Sequence, residues 1–310
     1  MMRRGGVGLV LAVVVVATAS MAAATQAVDV RRDLRYGTAN GRPLLLDVYV
    51  PAQTAGGSRP AVVMIHGGGW RVGDKASWAP EATRLVERGW VAFSINYRLD
   101  EPTVFPAEIE DVQAAVRWVR AHAGDYGVDP ERIAAVGESA GGHLAAMLAT
   151  LGRGSLGDDA RVRVAASWSP PVDLTVLAGE RGGEWASRVI GCGVATCPDV
   201  LARSSPVNHV DGSDAPLYLV NSTAELVPLS QAQAMAARLQ AAGVAYELDV
   251  LPGTRHALDF RDDAWGPTVA FLEQHLPAED ETDTFALVVG LAAVVVLLGA
   301  VLVTIAGQRA

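Results

Sequence analysis

Residues 132–144 read RIAAVGESAGGHL, and this stretch decides the fold. The residues before Gly137 form a short apolar run, which predicts a strand buried on both faces of a parallel sheet. The motif G-x-S-x-G follows at 137–141 and opens a predicted helix. Such a turn exposes a serine hydroxyl, and the helix N-terminus behind it favours developing negative charge. Five letters alone can match by chance, but their place between strand and helix predicts that Ser139 is a nucleophile.

Strands and helices alternate over most of the chain. Predicted strands cover 44–50, 61–65, 90–96, 132–137, 162–168, 217–221 and 245–251, and predicted helices cover 107–123, 143–151 and 231–242. Residues 44–50 alternate between apolar and polar, as in an antiparallel strand with one covered face. The alternation predicts an α/β fold, with a mostly parallel sheet and helices on both faces.

The two ends of the chain have the composition of export and membrane segments. Residues 1–27 combine a basic start, a short apolar run and small residues, which predicts a cleaved signal peptide, with an uncleaved anchor as the alternative. Residues 285–306 carry no charge and match the length of a bilayer-spanning helix. A buried core helix is the alternative there, but the segment is apolar on every face. We therefore expect a catalytic domain over 28–277, an acidic stalk over 278–284, a transmembrane helix over 285–306 and a short tail over 307–310.

This organisation predicts an exported, single-pass protein of the cell membrane, with its catalytic domain on the extracytoplasmic side. Residues 170–214 interrupt the alternation with a Pro pair, a Gly pair and both cysteines, so we interpret them as a cap-like insertion over the active site. A second domain is the alternative. Cys192 and Cys197 have four residues between them, which predicts a disulfide in an exported protein. A metal site is disfavoured because no histidine lies within ten residues of either cysteine.

A glycine-rich loop follows the strand predicted at 61–65. It reads HGGGW at 66–70, and its successive backbone N–H groups can converge on one oxygen anion. We expect the N–H groups of Gly68, Gly69 and Ala140 to form an oxyanion hole, with an ordinary flexible loop or anion nest as the alternative. His66 is expected to brace this loop, and Trp70 to line the acyl pocket.

A serine nucleophile needs a base, and that base needs an acid to orient it. Of the six histidines, His256 stands in a loop directly after the last predicted strand, so it is the expected base. Glu225 follows a strand and precedes a helix. It lies between Ser139 and His256, which gives the chain order Ser, acid, His that is typical of α/β-hydrolases. A solvated loop carboxylate is the alternative role for Glu225, and Asp249 is the second candidate for the acid.

With these residues in place, the chain resembles the esterase and lipase branch of the α/β-hydrolases. It is similar to the hormone-sensitive-lipase-like and the feruloyl or acetyl esterase-like members over about 44–276. The shared motifs are HGGGW at 66–70, NYRL at 96–99, FP at 105–106, Asp111, DPERI at 129–133, the stretch 137–144 and PG at 252–253 before His256. The resemblance implies an α/β-hydrolase fold, carboxylesterase chemistry and structural roles for Tyr97, Arg98 and Asp111.

The acid loop departs from the pattern of these relatives, which usually read His-Gly-Thr-x-Asp, two further residues and then Val-Pro. Counting forward from Pro216 places the acid at Glu225, whereas counting back from the Val-Pro at 227–228 places it at Ala224. The loop is thus one residue shorter after the acid, with Glu in place of Asp. We expect the longer side chain of Glu225 to compensate for the shorter loop and to contact His256.

These residues predict an ester hydrolase that forms an acyl-enzyme on Ser139 and needs neither a metal nor an organic cofactor. The net charge of −9 disfavours nucleic acid as a partner, so we expect a small-molecule or lipid-like ester substrate. A peptidase or amidase, an acyltransferase acting on the cell envelope, and an inactive binding module remain possible from the sequence. The sequence leaves the oligomeric state open.

Overall fold

A computed structural model describes residues 27–52, 58–99, 105–150, 160–179, 184, 187, 191–192 and 195–276. The predicted stalk, transmembrane segment and tail lie outside these residues, as does the predicted signal peptide apart from Ala27. Parts of the predicted insertion at 170–214 are also outside them. No helix in the described part of the chain is both long enough and apolar enough to cross a bilayer.

One sheet of eight strands organises the described residues. The strands are β1 (Val28–Ala39), β2 (Arg42–Pro51), β3 (Arg59–Ile65), β4 (Val91–Ile95), β5 (Val128–Glu138), β6 (Val164–Trp168), β7 (Leu217–Ser222) and β8 (Tyr246–Leu251). Their order across the sheet is β1-β2-β4-β3-β5-β6-β7-β8. The pairs β1–β2 and β2–β4 are antiparallel, and every later pair is parallel. The carboxyl ends of β3, β5, β6, β7 and β8 therefore meet along one edge.

Helices cover both faces of this sheet, as the alternating pattern predicts. They are α1 (Ala79–Glu87), α2 (Ala107–Ala121), α3 (Ala140–Thr150), α4 (Leu174–Gly179), α5 (Pro198–Arg203), α6 (Leu229–Ala242) and α7 (Arg261–His275). The core residues of α2, α3 and α6 belong to one hydrophobic cluster, and those of α1 and α7 belong to a second. Along β3, Val63 faces the first cluster and its neighbours Val62 and Met64 face the second, so this central strand is buried on both faces.

The strand β1 is a finding that the sequence patterns do not predict. Most of its residues are at least partly exposed, and its register with β2 shifts twice, between Arg31 and Leu34 and between Arg35 and Gly37. Each shift breaks the two-residue alternation that identifies a strand. The many charged residues of β1 suit an edge strand, because charges there oppose pairing with another chain.

Candidate active site

The turn that carries Ser139 lies near the middle of the sheet edge at which the parallel strands end. Strand β5 ends at Glu138, α3 begins at Ala140, and Ser139 between them has a φ of 52°. Such a left-handed backbone is unusual for a residue with a side chain. The backbone N–H of Ser139 donates to the Trp168 carbonyl at 2.8 Å, which ties the turn to β6. A Cβ at Gly141 would collide with the Ile65 carbonyl, so only glycine fits the close approach of the turn to β3.

The structure brings Ser139, His256 and Glu225 into one hydrogen-bonded line. His256 follows β8, and its Nε2 lies 3.0 Å from Ser139 Oγ. Its Nδ1 contacts Glu225 Oε2 on the other side of the ring. The Glu225 side chain is fully buried, whereas about a fifth of the His256 side chain is exposed. A serine, an imidazole and a carboxylate in this order are the parts of a proton relay.

Ser169, which the sequence patterns do not single out, positions the carboxylate of Glu225. Its Oγ donates to Glu225 Oε1 at 2.9 Å and accepts from the Ala257 N–H at 2.9 Å. The Ser222 N–H adds a second bond to the same Glu225 oxygen at 2.8 Å. Ser169 follows β6 directly, so its place at the end of a parallel strand is the signal that could have found it.

Asp249, the second candidate for the acid, is engaged elsewhere. It lies within β8, and its carboxylate accepts from the Tyr218 hydroxyl. Burial raises the pKa of Tyr218, and the neighbouring carboxylate of Asp249 raises it further. Of the two carboxylates, Glu225 is the one in contact with His256.

The glycine-rich loop lies beside Ser139 and frames a pocket. Gly68, Gly69 and Trp70 all have positive φ values, at 107°, 61° and 58°. The pocket has a volume of about 280 Å³ and is lined by Gly68, Gly69, Trp70, Glu138, Ser139, Pro171, Leu226, Val227 and His256. Ala140, whose N–H we expect to join the oxyanion hole, is buried at the start of α3, next to Ser139. Among the described residues, Pro171 in this lining belongs to the predicted insertion.

Two other histidines are buried near the site as neutral rings. His66 Nδ1 donates to the Gly67 carbonyl at 2.7 Å, and the ring stacks on Tyr97 with 4.6 Å between centroids. Burial lowers the pKa of His66, although its bond to the carbonyl acts in the opposite direction. Burial also lowers the pKa of His143, to about 4, and its Nε2 donates to the Ser204 carbonyl at 2.7 Å. Both rings brace backbone and neither contacts Ser139 Oγ in the way that His256 does.

The residues that the resemblance assigns to structure lie outside the pocket lining. The Arg98 guanidinium donates to Asp111 at 2.7 Å and to the Ala107 carbonyl at 2.8 Å. The Tyr97 hydroxyl donates to the His66 carbonyl at 3.0 Å. These bonds tie the segment after β4 to the start of α2 and to the glycine-rich loop.

The disulfide between Cys192 and Cys197 is present, in the segment between α4 and α5. The polypeptide between β6 and β7 also supports α3, because the Ser204 carbonyl accepts a hydrogen bond from His143 on that helix. Within the described ranges, no group of three or more His, Cys, Asp or Glu side chains is arranged to hold a metal ion.

Glu138, the variable residue of the G-x-S-x-G motif, is a further buried acid at the pocket. The residue is 7% exposed, and its Oε1 accepts from the backbone N–H of Gly67. Burial raises the pKa of Glu138 to about 7, whereas the bond from Gly67 and the charge of His256 act to lower it. The sequence patterns assign this residue no role.

Comparison with known proteins finds relatives that are named esterases. The family model described as BD-FAE matches residues 46–239. Esterase LipQ of Mycobacterium tuberculosis is 34% identical over 242 residues, which are 73% of this chain and 57% of LipQ. The chain thus spans less than two thirds of the length of that relative.

Solved structures agree with this finding. A truncated carbohydrate esterase from gut microbiota has a TM-score of 0.67 at 25% identity, covering 81% of this chain and 97% of its own. Est2, a thermophilic esterase of Thermogutta terrifontis, has a TM-score of 0.64 at 26% identity, with 87% and 94% covered. Est2 is also known with propionate bound and phosphorylated by paraoxon. The chain therefore belongs to the BD-FAE family, within the carboxylesterase branch of the α/β-hydrolases.

Proposed function

We propose that this protein hydrolyses carboxylic esters through an acyl-enzyme on Ser139. The observation that carries the proposal is the hydrogen-bonded line from Ser139 Oγ through His256 to Glu225, which opens on a pocket beside a glycine-rich loop. Membership of a family whose relatives are named esterases supports it. No cofactor is part of the proposed reaction.

In the acylation step, Ser139 Oγ attacks the ester carbonyl while His256 Nε2 takes the hydroxyl proton. Glu225 accepts a hydrogen bond from His256 Nδ1–H and stabilises the imidazolium that forms. The carbonyl oxygen becomes an anion, which the backbone N–H groups of Gly68, Gly69 and Ala140 stabilise. The bond to the alcohol oxygen then breaks, and the proton on Nε2 passes to the departing alcohol.

Deacylation repeats the sequence with water as the nucleophile. His256 Nε2 takes a proton from water, the resulting hydroxide adds to the acyl carbonyl, and the oxyanion forms at the same N–H groups. When the tetrahedral intermediate collapses, the proton on Nε2 returns to Ser139 Oγ and the carboxylic acid leaves. The products are thus one alcohol and one acid, and the enzyme is restored.

We propose that the acyl group is short. A cavity of about 280 Å³ is small for a binding site, and the buried ring of Trp70 occupies part of its wall. Leu226 and Val227 add apolar surface on the side of Glu225. An acetyl to butyryl chain fits such a space, and the propionate found in Est2 of Thermogutta terrifontis is of this size.

The test measures hydrolysis of p-nitrophenyl acetate, butyrate, octanoate and palmitate by the wild type and by Ser139→Ala. We expect the two short esters to be turned over, and Ser139→Ala to lose at least about 10⁴-fold in kcat. A fluorophosphonate probe should label the wild type at Ser139 and leave the variant unlabelled. If the folded wild type turns over none of the esters and resists the probe, the proposal is wrong and the protein is better described as an inactive binding module.

A matched set of acceptors and amides distinguishes ester hydrolysis from acyl transfer and from amide cleavage. Added alcohols that compete with water for the acyl group would indicate an acyltransferase. Turnover of p-nitroanilides at a rate comparable to that of the esters would indicate an amidase. We expect water to remain the main acceptor, and the anilides to be cleaved at least about 100-fold more slowly than the esters, because an amine is the poorer leaving group.

We further propose that the protein is exported and held at the membrane by residues 285–306. The charge-free composition of that segment and the disulfide in the catalytic part support this location. Fractionation of cells that produce the full chain, beside a chain ending at residue 284, tests it. The full chain should sediment with membranes and the shorter chain should not; equal release of both into the soluble fraction would contradict the anchor.

A further inference from the structure

Glu138 links the nucleophile turn to the glycine-rich loop. The residue ends β5, directly before Ser139, and it belongs to the lining of the pocket. Its Oε1 accepts from the backbone N–H of Gly67, which lies in the loop after the neighbouring strand β3, one residue before Gly68. The two halves of the proposed site, nucleophile and oxyanion hole, are thus joined by one side chain.

Gly67 has no side chain, and this leaves room for the Glu138 carboxylate. A Cβ at Gly67 would collide with both carboxylate oxygens of Glu138, so the acid occupies the space that any other residue at 67 would fill. Within the loop, the Gly68 carbonyl accepts from the N–H groups of Arg71 and Val72 at 3.2 Å each, which closes a tight turn. The loop is therefore held in two ways, by its own turn and by Glu138.

We propose that Glu138 is a positioning residue, whose hydrogen bond to the Gly67 N–H aims the N–H groups of Gly68 and Gly69 at the oxyanion formed on Ser139. The inference rests on the proposed esterase function and deepens it. Oxyanion stabilisation depends on donors fixed in place before the charge develops. A misplacement of about 1 Å can lower the rate about 100-fold, so a side chain that fixes this loop acts on kcat more than on substrate binding.

The hydrogen bond, rather than the negative charge, is the feature that this role requires. A full negative charge beside the oxyanion would oppose its formation, and burial disfavours the ionised form of Glu138. The charges of His256 and Arg261 favour the ionisation of this carboxyl and the charge of Asp259 opposes it, and the buried Tyr97 hydroxyl also interacts with it electrostatically. A carboxyl oxygen accepts from the Gly67 N–H in either protonation state.

Two conservative variants separate the effect of side-chain length at residue 138 from the effect of its charge. Glu138→Gln keeps the length and the accepting oxygen but removes the charge, whereas Glu138→Asp keeps the charge and is one methylene too short. Glu131→Asp is the matched control, because Glu131 is an exposed acid on the same strand. Each variant is assayed for kcat and KM on p-nitrophenyl acetate, and for inhibition by a trifluoromethyl ketone, which forms an oxyanion on the nucleophile.

We expect Glu138→Asp to lose about 10- to 100-fold in kcat, with KM within about threefold of the wild type. Its inhibition constant for the ketone should rise by a similar factor. Glu138→Gln should lose at most about threefold in kcat, and its inhibition constant for the ketone should stay within about threefold of the wild type. Glu131→Asp should match the wild type.

Two outcomes would overturn the proposal. One is a loss in Glu138→Gln that equals or exceeds that in Glu138→Asp, since the charge would then be the important feature. The other is wild-type kcat and ketone inhibition in Glu138→Asp, since the bond to Gly67 would then be dispensable. A wild type that neither hydrolyses the ester nor binds the ketone would instead contradict the esterase function itself, before any variant is compared.

Discussion

The β1–β2 hairpin and the active site both contain left-handed backbone, and they use it differently. In the hairpin, Asn40 and Gly41 have φ values of 49° and 75°. Around the site, the residues with positive φ that are not glycine are Trp70, Ser139, Ser169 and Ala257, with values between 49° and 58°. The hairpin uses residues that tolerate this conformation, whereas the site uses, besides its glycines, four residues that tolerate it poorly.

The difference shows where the fold accepts strain. Asn-Gly is the preferred pair for a two-residue hairpin, so the turn between Ala39 and Arg42 costs little. At the site, each left-handed residue costs about 1 to 2 kcal/mol. Hydrogen bonds hold these residues in place, such as those from the Ser139 N–H to Trp168 and from the Ala257 N–H to Ser169. Three of the four strained residues, Ser139, Ser169 and Ala257, lie in or directly beside the hydrogen-bonded line from Ser139 to Glu225.

The largest effect is expected from removing the acid of the site. Glu225→Ala should lower kcat about 10⁴-fold, because His256 loses the group that fixes its tautomer and stabilises its charge. Asp249→Asn is the control, since Asp249 bonds to Tyr218 and its variant should keep kcat within about threefold of the wild type. Steady-state kinetics on p-nitrophenyl acetate measure both. A larger loss in the Asp249 variant than in the Glu225 variant would reverse the assignment of the acid.

A smaller effect is expected from Ser169→Ala, at one of the strained residues of the site. Ser169→Ala keeps the left-handed position but removes both hydrogen bonds of the hydroxyl, leaving the buried Ala257 N–H without its acceptor. We expect kcat to fall about 10- to 100-fold, and the free energy of unfolding to fall by about 1 to 3 kcal/mol. Ser213→Ala, at an exposed serine, should change neither quantity. Kinetics and urea titration together would show whether this strained serine serves the site, and wild-type kcat in Ser169→Ala would show that it does not.

The sequence predicts the centre of this fold better than its edge. The central strands β3 and β5 each contain a continuous apolar run, at 61–65 and 133–136, that leads to a glycine motif. The sequence therefore predicts both the position of these strands and their contact with the site. The strand β1 is not, because shifts in register and exposed charges remove its alternation. The alternation of α and β elements, which follows from the central strands, is confirmed.

Within the site, the sequence indicates residues that carry a motif and misses those that act through contacts. Ser139 and His256 stand in recognisable turns, and Glu225 is indicated by chain order despite the shortened loop. Ser169 and Glu138 have no such pattern, because their partners Glu225 and Gly67 are 56 and 71 residues away in the chain. A contact between distant residues depends on the register of several strands, which local patterns do not specify.

A further buried acid lies on α2, away from the strained residues. Glu108 on α2 is 2% exposed, and its Oε2 has no hydrogen-bond partner among the described residues, whereas both oxygens of Glu225 are bonded. Burial raises the pKa of Glu108 to about 7, from an ordinary value of 4.5. An acid whose pKa rises on folding destabilises the folded state once it ionises, so this cost grows between about pH 4.5 and pH 7 and is constant above that.

Glu108→Gln removes this cost. At each pH, the free energy of unfolding of the wild type is subtracted from that of the variant. We expect this difference to be larger at pH 8 than at pH 4 by on the order of 2 kcal/mol. Urea titrations at the two pH values measure it, and Glu110→Gln, at an exposed neighbour, is the control. An unchanged difference between pH 4 and pH 8 would mean that the carboxyl of Glu108 is solvated in the folded protein.

The smallest effect is expected in the hairpin and tests the comparison directly. At Gly41 a Cβ would have no heavy atom within 4 Å, so Gly41→Ala adds backbone strain and no collision. The free energy of unfolding should fall by about 1 kcal/mol, with kcat/KM unchanged, because the turn carries no group of the site. Gly141→Ala is the contrasting variant at the site, because its Cβ would collide with the backbone of β3. If Gly41→Ala lowered kcat/KM as well, the hairpin would be coupled to the site, and strain in the two regions could not be assigned separately.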